Sequence, residues 1–103
     1  MQHLRISTYT ISKGTFQEVS DLARAGMLPM FQAQPGFVRY GLADLGNRMC
    51  MSISMWETQE QADAAAFVAA SWFGEHLVGR LEIRTNTMGE LAFFKGMPLP
   101  AAA

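Results

Sequence analysis

Four residues near the middle of the chain, Leu45-Gly46-Asn47-Arg48, constrain the fold more than any other stretch. Gly and Asn tolerate the positive φ that a tight hairpin turn needs. The runs on either side, 37–44 and 49–56, read as the two strands it joins. In the second run Met49, Met51, Ile53 and Met55 share one face, and Cys50, Ser52, Ser54 and Trp56 share the other. The hairpin therefore splits the chain into halves, and both halves have the same plan.

Upstream, residues 3–11 form a strand rich in β-branched and aromatic types, ended by Ser12-Lys13-Gly14. Thr15 opens a helix with Glu18 three places on, a capping-box pattern. Phe16, Val19, Leu22, Ala23, Met27, Met30 and Phe31 recur at helical spacing. Pro29, with Gly26 nearby, predicts a kink or a restart with Pro29 in a first turn. Gln34-Pro35-Gly36 ends the helix, because a residue before proline is pushed out of the α region. Downstream, Thr58 and Gln61 repeat the capping pattern. Ala62, Ala65, Ala66, Ala69, Trp72, Phe73 and Leu77 line one side of the helix that follows, and Gly79 stops it. A last strand is expected over 82–94, bent at Gly89, before a tail at 97–103. The order βαββαβ is that of a ferredoxin-like α+β domain, a four-stranded antiparallel sheet with both helices on one face. One single domain over 1–96 is expected. Its other sheet face is left bare and is apolar whichever of the two residue sets occupies it, so a homodimer through the sheet face is the economical arrangement.

Composition excludes several classes of function. Eight basic and nine acidic residues give a net charge of −1, with no footprint for nucleic acid. No apolar run approaches the roughly 20 residues of a membrane span, and the amino end lacks the pattern of a signal peptide, so a cytoplasmic protein is expected. A single cysteine, Cys50, leaves no intrachain disulfide. The two histidines lack carboxylates at matching spacing for a metal, and no G-x-G-x-x-G or phosphate-loop lysine is present. No cofactor and no metal are expected.

Gln34-Pro35-Gly36-Phe37-Val38, the Gly-Asn hairpin, and Ser52-Ile53-Ser54-Met55-Trp56-Glu57-Thr58 before an alanine-rich helix together resemble the antibiotic biosynthesis monooxygenase-like family. The resemblance covers about residues 3 to 94 and implies a dimeric α+β barrel. Its superfamily includes cofactor-independent quinol-forming oxygenases, haem-degrading oxygenases and isomerases. The haem-degrading branch carries an Asn on the first strand, a Trp in the second helix and a His near that helix's end. Here the first strand offers Ser7, Thr8 and Tyr9, the Trp position falls near Ala66, and only His76 approximates its counterpart. Haem is therefore not expected.

The chemistry-bearing candidates each have two readings. Trp72 and His76, four apart, share a helix face. His76 is either a proton acceptor for a phenolic ligand held against Trp72 and Phe73, or a helix-end residue favoured by the dipole. Tyr9, Tyr40 and Asn86 sit on three strands and could orient a small aromatic, though tyrosines are ordinary sheet formers. Asn86 is unusual in a strand and suggests a catalytic hydrogen bond, a turn or a bulge. Arg39 or Arg84 could neutralise an enolate or carboxylate, or be solvated edge residues. Two functions remain. One is a cofactor-independent monooxygenase or related enzyme acting on a small aromatic or quinol-like molecule. The other is a non-catalytic dimer that binds a small ligand or serves as a scaffold.

Overall fold

The computed structural model describes residues 2–96, so the expected tail at 97–103 lies outside the described residues. Strand β1 runs His3–Ile11, as the sequence predicts. The first helical segment is α1 (Phe16–Leu22), a π-helical turn (Ala23–Met27) and α2 (Leu28–Gln32). Then come β2 (Phe37–Gly46), β3 (Met49–Trp56), α3 (Gln59–His76) and β4 (Leu81–Glu90). The sheet order is β2-β3-β1-β4 with every neighbour antiparallel, and this is the ferredoxin-like α+β arrangement. Among the described residues no helix is long and apolar enough to cross a membrane.

Local chemistry explains the element ends. Asn47 (φ 50) and Arg48 (φ 60) form the two-residue hairpin turn, both in the left-handed region. Arg48 accepts this backbone because its side chain is anchored: Nε donates to the Ile11 carbonyl (2.9 Å) and Nη2 to that of Gly14 (3.0 Å). Both helix caps form, with Glu18 N–H donating to Thr15 Oγ1 and Gln61 N–H to Thr58 Oγ1, each at 3.2 Å. The Glu18 carboxylate also turns outward, to Arg80 at 2.9 Å. The break expected at Pro29 is a π turn, after which Pro29 sits in the first turn of α2, where its missing N–H costs nothing. At this turn Gly26 meets the indole of Trp72: a Cβ on Gly26 would sit 2.5 Å from Trp72 Cζ2.

The two sequence signatures meet at one junction. Phe37 pairs with Trp56, and Glu57 N–H donates to the Gly36 carbonyl at 2.9 Å. Gly36 has φ +77, and Gln61 from the first turn of α3 packs directly over it. These residues therefore seat β2 and β3 against the start of α3. They are architecture and carry no reactive group. Gly36→Ala should lower stability by about 1–2 kcal/mol, since a left-handed backbone is costly with a Cβ and Gln61 must move. Urea titration checks this, and an unchanged midpoint would show that the junction tolerates the methyl group.

The helix side of the sheet holds the core. Trp56, Cys50 and Val19 are almost wholly buried, with Phe31, Ala62, Ala65 and Ala69 around them. Trp56 Nε1 donates to Ser54 Oγ at 3.0 Å, and Phe31 and Phe37 pack on it edge-to-face at 5.2 and 5.5 Å. The methionine set of β3 thus lies on the opposite, helix-free face. There Met51 and Ile53 pair across the sheet with Thr8 and Ile6.

The carboxyl end departs from expectation. β4 ends at Glu90 rather than continuing to 94. Beyond it Leu91 N–H donates to the Gln2 carbonyl (2.8 Å), and the Phe94 ring reaches the Arg39 guanidinium, 5.6 Å from its centroid, on the strand at the sheet's far edge. This crossing lies on the helix-free face beside Met55, which is 3% exposed.

Candidate functional site

A cavity of about 230 Å³ lies between the helices and the sheet. Alanines make the space: Ala66, Ala69 and Ala70 of α3 face it, where larger side chains would fill it. Two aromatic pairs wall it. Tyr9 and Phe73 stack at 6.1 Å with 19° between their planes, and Phe31 and Tyr40 meet edge-on at 5.1 Å. Met27, from the π turn, completes the apolar wall.

The polar groups are concentrated on the sheet. Tyr9 Oη and Ser52 Oγ are 3.0 Å apart. Ser54 Oγ accepts from Trp56. Arg5 Nε donates to Asn86 Oδ1 at 2.9 Å, and Ser7 Oγ donates to the same oxygen at 3.1 Å. A β-bulge places Asn86 here. Thr8 pairs with Thr85, but Tyr9 pairs with Ile83, so Arg84 is the extra residue. Without that extra residue, Ile83 and Asn86, three apart, could not both line the cavity. Arg84 itself turns to Thr10 Oγ1 at 2.8 Å.

Burial, then the neighbouring Tyr9 and Cys50, push the Tyr40 phenol well above its ordinary pKa, with Arg5 pulling the other way. Tyr40 therefore stays neutral and offers an O–H. Burial, then Asp44, also raises the Cys50 thiol, which keeps it protonated and unreactive.

Of the residues singled out from sequence, Tyr9, Tyr40, Phe73 and Asn86 come together around this cavity. Trp72, His76 and Arg39 do not line it. Trp72 is buried against Gly26 instead, with its ring 4.9 Å from that of His76. The His76 side chain is 47% exposed and lies 3.7 Å from Glu75. Arg39 is on the helix-free face, beside Phe94. Sequence reasoning missed Arg5, Ser52 and Ser54. The period-2 rule could have found Arg5, which shares a face with Ser7 and Tyr9.

No family model matches the chain, and no curated protein matches it. Solved structures do. SnoaB from Streptomyces nogalater, a cofactor-independent oxygenase, superposes with a TM-score of 0.73 at 17% identity, over 90% of this chain and 95% of its own. A Nitrosomonas europaea protein provisionally named an antibiotic biosynthesis monooxygenase gives 0.70 at 16% identity, over 92% and 94%. A second protein from that organism, NE2512, of unknown function, gives 0.71 at 20% identity, over 99% and 98%. The resemblance read from the two signatures thus holds in three dimensions, and the chain has the fold of the antibiotic biosynthesis monooxygenase-like proteins.

Proposed function

We propose that this protein is a cofactor-independent monooxygenase acting on a small quinol-like aromatic held in the cavity between helices and sheet. The observation that carries the reading is the cavity itself: alanine-made space, two aromatic walls and a polar floor. Its volume is below the roughly 300–1,000 Å³ of common ligand sites, so the ligand is small and compact. In this chemistry the substrate carries its own reducing power. Loss of a proton from a ring methylene to solvent water gives a carbanion stabilised as an enolate. That carbanion passes electrons to dioxygen, the two recombine as a peroxide, and loss of water leaves a carbonyl. Net, a methylene and dioxygen become a carbonyl and water. The protein's part is to hold the enolate with preset donors. Tyr40, kept neutral, and the polar floor supply such donors.

Filling the cavity tests this. Ala66→Phe should abolish oxygen uptake on an anthrone or naphthoquinol, read with an oxygen electrode against the no-protein rate. Uptake that persists in the filled variant would sink the proposal. A second reading, a protein that binds such a ligand without turning it over, is favoured by one feature. No Asp, Glu or His is among the residues that line the cavity. Ligand binding without product formation would select it.

The helix-free sheet face supports a further part of the proposal, a homodimer formed sheet to sheet. Leu4, Ile6, Met51 and Ile53 alternate onto that face, and among the described residues no helix covers it.

A further inference from the structure

The hydrogen bonds on the cavity floor leave an unbalanced set of partners. Arg5 Nε can only donate, so the Asn86 atom it meets at 2.9 Å must be the amide oxygen. Ser7 donates to that same oxygen, which uses up its acceptor capacity and turns the Asn86 amide N–H groups away from Arg5. Ser54 Oγ accepts from the Trp56 indole, so its own O–H is available to donate. Tyr40 is held neutral, with its O–H intact. The ion pairs among the described residues are Glu75–His76 and Arg80–Glu18, so no carboxylate there neutralises Arg5. The floor therefore presents donors and one uncompensated positive charge.

We propose that Arg5, oriented by Asn86, is a specificity-determining residue that selects ligands bearing a carboxylate on the aromatic ring. This rests on the cavity being the ligand site. The geometry selects a carboxylate over a lone hydroxyl oxygen. With Nε committed to Asn86, the guanidinium offers its two terminal nitrogens end-on, and parallel N–H donors from these match the two oxygens of a carboxylate. The ring then lies back between the Tyr9–Phe73 and Phe31–Tyr40 pairs. Asn86 does not itself need to reach the ligand. Its role is to lock the Arg5 fork and to leave no competing acceptor beside it.

A matched pair of probes tests this without relying on turnover: 1-naphthol and 1-hydroxy-2-naphthoate, titrated by calorimetry near pH 7 at low salt. The carboxylate should bind about tenfold to a hundredfold more tightly. In Arg5→Gln the two affinities should converge. They should also converge in Asn86→Asp, where a built-in carboxylate occupies the Arg5 fork. Equal affinities in the unmodified protein, or a preference that survives both variants, would overturn the assignment while leaving the cavity as the site. If neither probe binds, the assignment falls together with the proposed site.

Discussion

Replacing Trp56 with alanine should cost about 3–5 kcal/mol, the range for deleting a large buried aromatic. A domain of this size has roughly 5–15 kcal/mol in total, so the variant should be close to unfolding. The cost is high because several interactions fail together. The indole is 1% exposed and is the common partner of Phe31 and Phe37. It also satisfies Ser54, and it sits where the β2–β3 hairpin meets the start of α3. Trp56→Phe retains the edge-to-face packing but loses the hydrogen bond and some volume, so it should cost markedly less. Urea denaturation followed by far-ultraviolet circular dichroism measures both variants without depending on the lost fluorophore. A loss below about 1.5 kcal/mol for the alanine variant would show that the core closes over the gap and that the junction does not rest on this residue.

The second large effect concerns the helix-free face. Met51→Lys with Ile53→Lys should convert the proposed dimer to a folded monomer at micromolar concentration. In a two-fold sheet-to-sheet interface each substitution occurs twice, and a lysine at the centre has no carboxylate to meet. Several kcal/mol per buried unpaired ion translates into a dissociation constant raised at least about a thousandfold. Within one chain both residues lie on the open face, so circular dichroism should remain that of a folded domain. Sedimentation velocity decides the matter. A monomer for the unmodified chain at about 100 μM would remove the sheet-to-sheet proposal, and a dimer that survives both lysines would move the interface elsewhere.

Much of this architecture was legible before any coordinates, for identifiable reasons. β1 is rich in β-branched and aromatic residues, β3 divides into two residue sets on opposite faces, and Thr15 and Thr58 mark helix starts by capping hydrogen bonds. The ends that strayed lacked such marks. Leu91, Phe93 and Phe94 look like strand residues, yet they lie beyond the sheet, with both phenylalanines largely exposed and Phe94 against the Arg39 guanidinium. The same distinction governs the candidate site. Tyr9 shares the helix side with Ser7 by alternation, and Tyr40 reaches that side through the register shift between Phe37 and Arg39. Trp72 and His76 share a helix face, but spacing alone does not say which neighbour that face meets. It meets the first helical segment at Gly26 rather than the cavity. Arg5 escaped notice because a charge on a strand ordinarily belongs to solvent. Here the bulge at Arg84 supplies an amide to hold it over the cavity.

The π turn at Ala23–Met27 carries a consequence for how such a cavity can be gained or lost. A turn of this kind is equivalent to one residue inserted into a regular helix. Each residue of an α-helix advances the chain by about 100° around its axis. Deleting a single codon within 23–27 would thus leave an ordinary helix with Phe31 facing as before, whereas winding the same residues as a regular helix would swing Phe31 and everything after it through roughly that angle. Phe31 would leave both Tyr40 and Trp56, and the wall it forms between cavity and core would disappear. The wall of this cavity therefore depends on how a single turn is wound, with no exchange of one side chain for another.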